Sequence, residues 1–341
     1  KIIQFRIMNV DFDKLFTDIS KMKVAVIGDV MLDTYWWGNV ERISPEAPVP
    51  VVAVSQREKR IGGAGNVALN VQALGASVAL LTILGDDEDG VQLKQMLQDK
   101  TIDTRFILES KKRITTNKIR IISRNQQMMR LDAEQTDDID ETDETKLLNQ
   151  VEKYILSERP NVVILEDYNK GILTKNIIEH TIELCNKNDI TTTVDPKRKN
   201  FFSYKNATLF KPNLHEVYTS LNLLPEEISL ENLSDIHLKL KENLEHSISM
   251  ITLSEKGICF QEEATKDIIP SHRRNIADVS GAGDTVIAVA SLIYASTKDI
   301  RLSTEVANIA GGIVCEEVGT AAVNKEKLLA ECKDLITDTS P

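Results

Sequence analysis

Short apolar runs alternate with amphipathic stretches along most of the chain. Six runs rich in Val, Ile and Thr are typical of buried strands, and they lie at 23–30, 77–85, 161–167, 191–196, 207–213 and 247–254. Four stretches between them show helical periodicity, at 66–75, 90–99, 174–188 and 234–244. After about residue 275 the pattern is helical throughout, with stretches at 283–297, 302–318 and 324–337. This alternation predicts an α/β fold, with a mostly parallel central sheet and helices on both faces.

Two segments break the alternation and predict a small β-sheet. Residues 34–60 contain three prolines, both tryptophans and a strand-like run, and residues 113–132 alternate polar and apolar positions around a hairpin turn, "RNQQ". Such a sheet could form a lid that excludes water from a cleft, or it could be only a pair of edge extensions. Its apolar side chains, which include Trp36, Trp37 and Val51, could also pair with another subunit.

Composition narrows the class of protein. A length of 341 residues with 42% hydrophobic residues suits one large α/β domain with an appendage, or two domains. The net charge of −11 argues against nucleic acid and anionic membranes as partners, because proteins that bind them usually carry a basic face. The sequence contains neither an apolar run of roughly 18 residues nor the apolar core of a signal peptide. The four cysteines form no C-x-x-C pair, so we expect a cytoplasmic protein without a zinc site.

The segment "SGAGDT" (280–285) carries the first candidate chemistry. Gly281, Ala282 and Gly283 precede a predicted helix, where free backbone N–H groups and the helix dipole attract anions. Asp284 could accept a proton from an attacking hydroxyl while the amides hold the transferred phosphoryl group. Alternatively, Asp284 only complements the helix dipole, which is worth ~0.3–1 kcal/mol. The segment alone leaves both interpretations open.

A second glycine cluster, "IGGAGN" (61–66), also precedes a predicted helix. Gly62 and Gly63 would let a polyhydroxylated ligand approach the backbone, while the side-chain amide of Asn66 donates and accepts hydrogen bonds. Asp33 follows the first predicted strand, and its carboxylate suits bidentate contact with adjacent sugar hydroxyls. A close-packed turn and an ordinary turn aspartate are the alternatives.

The segment "KPNLHE" (211–216) offers a third candidate. Asn213 and Glu216 are close to a capping box, but the same pair could order Mg²⁺ and its waters around a triphosphate. Several cations at strand ends and in the small sheet suit phosphate groups, although any one of them would usually be solvated: Arg120, Arg124, Arg130, Lys170, Lys197 and Arg198. The five histidines share no ligand spacing, and we assign them no role.

An early "GD…D", a "GGAGNVA" cluster, an "N-x-x-E" element and a late "GAGDT" follow the order found in the ribokinase-like (PfkB-type) carbohydrate kinases. The chain resembles that family over residues 22–337. The resemblance implies a ribokinase-like fold with a β-sheet lid inserted from about 34–60 and 113–132, preceded by an N-terminal arm at 1–21. It also implies ATP and Mg²⁺ as cofactors, a sugar phosphate as substrate and a homodimer formed through the lid.

The same resemblance implies roles for individual residues. Asp284 would be the catalytic base, and the amides of the three preceding residues, Gly281, Ala282 and Gly283, would form the anion hole. Asn213 and Glu216 would serve the Mg²⁺–ATP site, with Glu216 binding the metal through water. Other matched positions would contact the nucleotide (Ser254, Gly257 and Asn308), the sugar (Asp33, Gly62, Gly63 and Asn66) and the sugar's phosphate (Lys170 and Arg124).

Within the family, segments such as "RISPEAPVPV", "SRNQQMMRLD" and "DYNKG" are most similar to kinases for D-glycero-β-D-manno-heptose 7-phosphate. Because the sequence ends soon after the predicted kinase helices, it resembles the stand-alone form of these kinases. This similarity implies phosphorylation of C1 to the 1,7-bisphosphate, a step towards ADP-heptose and the lipopolysaccharide core. Two positions depart from the pattern: Gly65 replaces an expected alanine, and Glu166 replaces a small residue and adds negative charge. Two alternatives are a kinase for another sugar or sugar phosphate, and a non-catalytic sensor of sugars and nucleotides.

Overall fold

The computed structural model describes residues 10–124 and 126–337 of the chain. Within these residues the strands are β1 (Lys23–Gly28), β2 (Val30–Ile43), β3 (Pro50–Gly63), β4 (Ser77–Gly85), β5 (Ile107–Ser110), β6 (Thr116–Ser123), β7 (Gln126–Ala133), β8 (Val162–Glu166), β9 (Thr191–Asp195), β10 (Leu209–Phe210), β11 (Ile248–Thr252), β12 (Ile258–Glu262) and β13 (Thr265–Ile269). The helices are α1 (Phe12–Ile19), α2 (Ala64–Ala73), α3 (Glu88–Asp99), α4 (Glu141–Glu158), α5 (Lys175–Lys187), α6 (Leu214–Leu221), α7 (Leu230–Leu244), α8 (Ala282–Thr297), α9 (Ile300–Val314) and α10 (Lys325–Thr337).

The large sheet confirms the predicted α/β architecture. Its strand order is β13-β12-β11-β10-β9-β8-β1-β4-β5, and the strands from β11 to β5 run parallel. All six predicted strands belong to it. The antiparallel pair β12 and β13 forms one edge and was not predicted, nor were strand β5 at the other edge and helices α1 and α4. A hairpin needs no crossover helix, so it interrupts the strand–helix alternation on which the prediction depended.

Helices cover both faces of the large sheet, and alternate side chains of β1 demonstrate this. Val24 and Val26 belong to a core formed with α1, α2, α3, α8, α9 and α10. Ala25 and Ile27 belong to the opposite core, formed with α4, α5, α6 and α7. Because successive side chains of a strand point to opposite faces, a continuous apolar run such as Val24–Ile27 requires cover on both sides.

The small sheet has the strand order β3-β2-β6-β7. Strands β2 and β3, and likewise β6 and β7, are antiparallel pairs, and β2 and β6 run parallel to each other. The sheet therefore contains both segments that broke the sequence pattern. One residue of the predicted hairpin turn, Asn125, lies outside the described residues.

Part of the predicted N-terminal arm is helical. Helix α1 buries Phe12, Leu15, Phe16 and Ile19 in the same core as α8 and α10, whereas residues 1–9 of the arm lie outside the described residues. The division of the chain at residue 22 stays a prediction. Across the part of the chain that the structure describes, no helix has the length and apolar character that a membrane span requires.

The starts of the helices differ in a way that matters for the site. Helices α3, α5 and α7 begin at Asp87, Thr174 and Ser229, whose side chains accept hydrogen bonds from the first turn. Helices α2 and α8 begin instead at Gly63 and Gly281, and neither has a side-chain cap. The amino end of α8 is partly exposed at residues 281–283 and is therefore open to a ligand. The amino end of α2 is buried, and the N–H of Ala64 donates to the carbonyl of Asp29.

Candidate active site

The carboxyl ends of the central parallel strands bring charged side chains together. Strand β8 ends at Glu166, which pairs with Gly28 of β1 on one side and with Asp195 of β9 on the other. Lys211 follows β10 directly and is 2% exposed. Helix α8 packs against β8 and β9, so its amino end lies over this edge, where α/β proteins usually bind ligands.

Asp284, in the first turn of α8, is buried between two hydrogen-bond donors. The side-chain amide of Asn66 donates to its Oδ2 at 2.8 Å, and the hydroxyl of Tyr168 donates to its Oδ1 at 2.7 Å. Burial raises the pKa of Asp284 to about 6, although both donors favour the ionised form. A carboxylate with this pKa can accept a proton near neutral pH.

The glycines before Asp284 have different surroundings. Gly281 has a φ of 77°, and a Cβ there would lie 2.7 Å from Nδ2 of Asn66. A Cβ at Gly283 would meet nothing closer than 3.8 Å, where Oδ2 of Asp195 and Nζ of Lys211 lie. Among the described residues, the N–H of Ala282 donates to Val279, and no acceptor is found for the N–H of Gly281 or Gly283. Of the three predicted anion-hole amides, those of Gly281 and Gly283 are thus free to bind an anion.

The predicted sugar-side residues lie close together. Gly62 approaches Asp33 so closely that a Cβ there would lie 2.2 Å from Oδ2 of Asp33. Gly63 begins helix α2, which carries the fully buried Asn66. The amide oxygen of Asn66 has no hydrogen-bond partner among the described residues, so it remains an acceptor for a ligand hydroxyl.

Cations line the same face of the small sheet as Asp33. Arg120 forms an ion pair with Asp33 at 2.5 Å, and Arg60 and Arg120 both stack on the ring of Tyr35. Lys118 lies over the ring of Tyr168, and burial lowers the pKa of its ammonium group. This face therefore presents positive charge next to the base candidate.

Asn213 and Glu216 form the capping box that starts α6. The Oδ1 of Asn213 accepts from the N–H of Glu216, and Oε2 of Glu216 accepts from the N–H of Asn213, both at 2.8 Å. The other oxygen of Glu216 binds Nζ of Lys197 at 2.9 Å. Lys197 also reaches Asp195 at 3.2 Å, and Lys211 reaches Asp195 at 2.8 Å. Although Asn213 and Glu216 cap α6, they remain part of the candidate site, because Lys197 bonds both Glu216 and Asp195 at the end of β9.

The predicted nucleotide residues Ser254, Gly257 and Asn308 lie around one loop. Ser254 and Gly257 belong to a tight turn with φ values of 55° and 99°. A Cβ at Gly257 would lie 1.9 Å from the carbonyl oxygen of Ile269. Asn308, on α9, donates its side-chain amide to the carbonyl of Pro270 at 2.8 Å. The structure thus brings the three residues to one end of the antiparallel pair, where β12 begins and β13 ends.

The two candidates for the sugar's phosphate lie apart. Lys170 forms an ion pair with Glu134 at 2.8 Å, and its backbone N–H donates to Asp29, which holds the loop after β8. Arg124 lies at the turn after β6, whereas Lys118 is the residue of β6 that pairs with Asp33. At ~3.3 Å per residue, that separation is about 20 Å. The structure therefore does not bring Arg124 to the sugar-side residues of the same chain.

Comparisons with known proteins identify the family. The model of the pfkB family carbohydrate kinases matches residues 21–327. The chain belongs to this family, and it is therefore a carbohydrate kinase.

Two similar relatives are both named bifunctional protein HldE. The one from Sulfurimonas denitrificans is 38% identical over 302 residues, which cover 89% of this chain and 62% of the relative. The one from Aliarcobacter butzleri is 40% identical over 314 residues, which cover 91% and 64%.

The kinase spans somewhat less than two thirds of the length of these relatives. Solved structures confirm the ribokinase-like fold. The Escherichia coli phosphofructokinase-2 in complex with potassium superposes with a TM-score of 0.77 at 16% identity, covering 93% of this chain and 99% of the other. The Arabidopsis thaliana ribokinase complexed with ribose and ATP gives 0.71 at 16% identity, covering 91% and 99%.

Three residues at the centre of the candidate site were not singled out from the sequence. Tyr168 bonds the base candidate, Lys211 bonds Asp195, and Lys118 lies on the ring of Tyr168. Tyr168 and Lys211 stand within two segments quoted above, "DYNKG" and "KPNLHE". Both residues follow predicted strands, and the carboxyl ends of parallel strands lie at one edge of the sheet. That position could have identified them as site residues.

Proposed function

We propose that this kinase transfers the terminal phosphoryl group of ATP to the C1 hydroxyl of D-glycero-β-D-manno-heptose 7-phosphate, giving the 1,7-bisphosphate and ADP. The segments that resemble heptose 7-phosphate kinases support this acceptor, as does identity of 38–40% to the bifunctional HldE proteins. The proposal concerns the kinase reaction alone.

The observation that carries the proposal is the position of Asp284 at the open amino end of α8. Its carboxylate accepts the proton of the sugar hydroxyl, and the resulting oxygen attacks the phosphorus as the bond to ADP breaks. The N–H groups of Gly281 and Gly283, with the helix dipole, stabilise the charge on the transferred group. Phosphoryl transfer depends chiefly on such positioning and charge stabilisation.

The nucleotide-side residues fit Mg²⁺ and a triphosphate. Glu216 offers a carboxylate that is bound on one side by Lys197, and Lys197 and Lys211 supply two ammonium groups beside it. Glu216 would hold the metal through water, as Mg²⁺ keeps several waters in proteins. The bound ion supplies charge neutralisation of the phosphates, and Lys197 and Lys211 orient the transferred group towards Asp284.

The sugar-side residues fit a phosphorylated polyol. Asp33 and the free amide oxygen of Asn66 would accept hydrogen bonds from hydroxyls. Arg60, Lys118 and Arg120 supply cations for the sugar's phosphate, and Lys170 is a fourth candidate. Arg124 could serve only if it reached the site of a second subunit.

An ADP-release assay across a panel of acceptors tests the substrate. Heptose 7-phosphate should give a kcat/KM at least ~10²-fold above those of ribose, fructose 1-phosphate and fructose 6-phosphate, because each lacks groups that the site would bond. Highest activity on another sugar would identify a pfkB kinase of different specificity. Glu166 favours this alternative, because it adds negative charge to a site that would bind a phosphorylated sugar. Ligand binding without ADP release would indicate a sensor instead.

We also propose that the small sheet is a lid that pairs with a second subunit. Trp36, Ile119, Ile121, Met129 and Leu131 share one face by strand register, and Met129 and Leu131 are 55% and 43% exposed. Such an apolar face is typical of an interface. Met129→Lys should convert the dimer to monomer in light scattering. Leu238→Lys, at an equally exposed leucine of α7, should not, and a monomeric wild-type protein would contradict the proposal.

A further inference from the structure

The side chain of Asp29 is buried directly after β1 and holds the loop that follows β8. Asp29 is 1% exposed. Its Oδ2 accepts hydrogen bonds from the backbone N–H groups of Tyr168 and Lys170 at 2.8 and 3.0 Å, and its Oδ1 accepts one from that of Ile172 at 3.1 Å. An ionised carboxylate only accepts hydrogen bonds, so it satisfies all three donors at once. These bonds therefore fix the loop at three alternate residues.

The backbone of Asp29 holds the start of α2. Its carbonyl oxygen accepts a hydrogen bond of 2.9 Å from the N–H of Ala64, the first residue of that helix. A Cβ at Gly63 would lie 2.3 Å from the same carbonyl oxygen, so the close approach of the helix start to Asp29 requires glycine there. The N–H of Asp29 donates to the carbonyl of Glu166, the last residue of β8, at 3.2 Å. One residue thus joins the ends of β1 and β8 to the first turn of α2.

The two elements that Asp29 holds supply both side-chain hydrogen bonds to Asp284. Tyr168 donates its N–H to Asp29 and its hydroxyl to Oδ1 of Asp284, so this residue connects the two carboxylates directly. Asn66, two residues after Ala64 in the first turn of α2, donates to Oδ2 of Asp284. A displacement of about 1 Å at a reacting group can lower a rate by ~10²-fold. The placement of these two donors therefore matters for the chemistry of Asp284.

We propose that Asp29 is a positioning residue for phosphoryl transfer, which orients the carboxylate of Asp284 through Tyr168 and Asn66. Its side chain fixes the loop of Tyr168, and its carbonyl fixes the turn of Asn66. The sugar hydroxyl then meets a carboxylate whose two oxygens are held in one arrangement. The inference rests on the proposed role of Asp284 as base, but it does not depend on which sugar the kinase uses.

Steady-state kinetics of Asp29→Asn, with the acceptor that gives the highest activity in the ADP-release panel, test the proposal. Asparagine keeps the shape of the side chain but turns an NH₂ group towards a backbone N–H, so at least one of the three bonds is lost. We expect kcat to fall at least ~10-fold, with little change in the KM of ATP. Asp167→Asn is a matched control, because its amide can still accept from the N–H of Asn169 and can donate to the hydroxyl of Tyr204. This variant removes a neighbouring buried charge without releasing the loop, and it should retain the wild-type kcat.

The pH profile separates positioning from a direct effect of charge. If Asp29 acted only through its negative charge, Asp29→Asn would lower the pKa of Asp284 and move the acid limb of kcat/KM to lower pH. Loss of the bond from Tyr168 has the opposite sign, and it should move the limb to higher pH by up to about one unit. The other charged groups that face the two carboxylates keep their charge in this variant, and they are Arg113, Glu166, Asp167, Asp195 and Lys197.

A double-mutant cycle shows whether Asp29 acts through Tyr168. In the Tyr168→Phe background the hydroxyl is already absent, so Asp29→Asn should lower kcat by a factor at least ~3-fold smaller than in the wild-type background. Equal factors in the two backgrounds would overturn the proposal, and so would an acid limb that moves to lower pH or stays in place. Asp284→Asn tests the base separately. If that variant lost turnover while the cycle gave equal factors, the role of Asp29 alone would be rejected.

A second variant covers the case in which Asp29→Asn does not fold, as judged by circular dichroism. The guanidinium of Arg113 donates to the carbonyl oxygens of Asp137 and Lys170, and it therefore holds the same loop from another side. Arg113→Lys keeps the positive charge but loses the forked donor geometry. In a cycle with Tyr168→Phe it should show the same ~3-fold reduction, and equal factors would reject the loop as the link to Asp284.

Discussion

Asn66 and Asp284 lie 218 positions apart in the sequence, and the side-chain amide of Asn66 donates a hydrogen bond of 2.8 Å to the carboxylate of Asp284. The bond joins the first turns of α2 and α8, the two helices that begin at uncapped glycines. The amide nitrogen of Asn66 thus orients the base candidate, while its oxygen remains an acceptor. A hydroxyl bonded to that oxygen would lie next to the carboxylate that deprotonates it.

Replacement of the base candidate should affect turnover and spare nucleotide binding. We expect Asp284→Asn to lower kcat by at least ~10²-fold, the usual scale for loss of a general base, with little change in the Kd of ATP. Single-turnover kinetics and ATP titration measure the two quantities. Asp143→Asn, at a buried carboxylate bonded to Ser110 in another part of the fold, should retain wild-type kcat. Near-normal turnover of Asp284→Asn would exclude its role as base.

The pH profile should report the ionisation of Asp284. Burial raises its pKa to about 6, so kcat/KM should fall as the pH decreases through that value and the carboxylate gains a proton. Tyr168→Phe removes a donor that favours the ionised form, and a bond to a charged group is worth about one pKa unit. The acid limb of the profile should therefore move to higher pH by about one unit. Tyr204→Phe, whose hydroxyl bonds Asp167, should leave the midpoint in place.

Local sequence predicted the segments of the site but not their contacts. Buried strands produce continuous apolar runs, so β1, β8 and β9 and the polar residues after them could be found from the pattern. The proximity of Glu166 to Asp195 and Asp284, within 4.8 Å between carboxylate oxygens, depends on the order β9-β8-β1, which no local pattern encodes. For the same reason, the partner of Asp284 could have been any of several residues at strand ends, and Tyr168 was not chosen.

Two interpretations that the sequence left as alternatives are compatible in the structure. Asn213 and Glu216 form a capping box, yet only one oxygen of Glu216 serves the cap, and the other binds Lys197. A carboxylate has two oxygens and about four acceptor sites, so one residue can stabilise a helix and serve a ligand. Sequence spacing cannot separate these roles, since both require the same residue types.

Alanine at the two glycines of the anion-hole segment should separate structural from chemical effects. At Gly281 the φ of 77° disfavours a side chain, and the added Cβ would displace Asn66. Gly281→Ala should therefore lower both Tm and kcat. At Gly283 the nearest atoms lie 3.8 Å away, and alanine within a helix is favoured over glycine by ~0.5–1 kcal/mol. Gly283→Ala should keep or raise Tm while lowering kcat at least ~10-fold, because alanine keeps the N–H but its methyl group would occupy the space through which the phosphoryl group passes. Unchanged kcat would mean that the phosphoryl group does not pass Gly283.

A buried histidine pair predicts how stability depends on pH. Nδ1 of His237 and Nε2 of His246 lie 2.8 and 2.6 Å from the hydroxyl oxygen of Ser249. Burial is the main cause that lowers the pKa of His237 to about 4 and that of His246 to about 3. Both imidazoles are neutral in the folded protein at neutral pH, whereas the unfolded chain binds protons below about pH 6.5. Their contribution to stability is therefore complete above about pH 6.5. It is lost as the pH falls to about 4 for His237 and to about 3 for His246.

Urea unfolding at pH 7.5 and pH 5.5 measures this loss. Each histidine should reduce the free energy of unfolding by about 1 kcal/mol between the two values. Asp284 has the opposite effect on the free energy of unfolding, because its raised pKa makes the folded state bind a proton that the unfolded chain does not bind at pH 5.5. The contribution of the histidines must therefore be obtained by comparing variants with the wild type. His246→Asn should be less pH-dependent than the wild type by about 1 kcal/mol. His215→Gln, at an exposed position of α6, should show the pH dependence of the wild type. If the free energy of unfolding changed equally with pH in all three proteins, His237 and His246 would not both be neutral in the folded state.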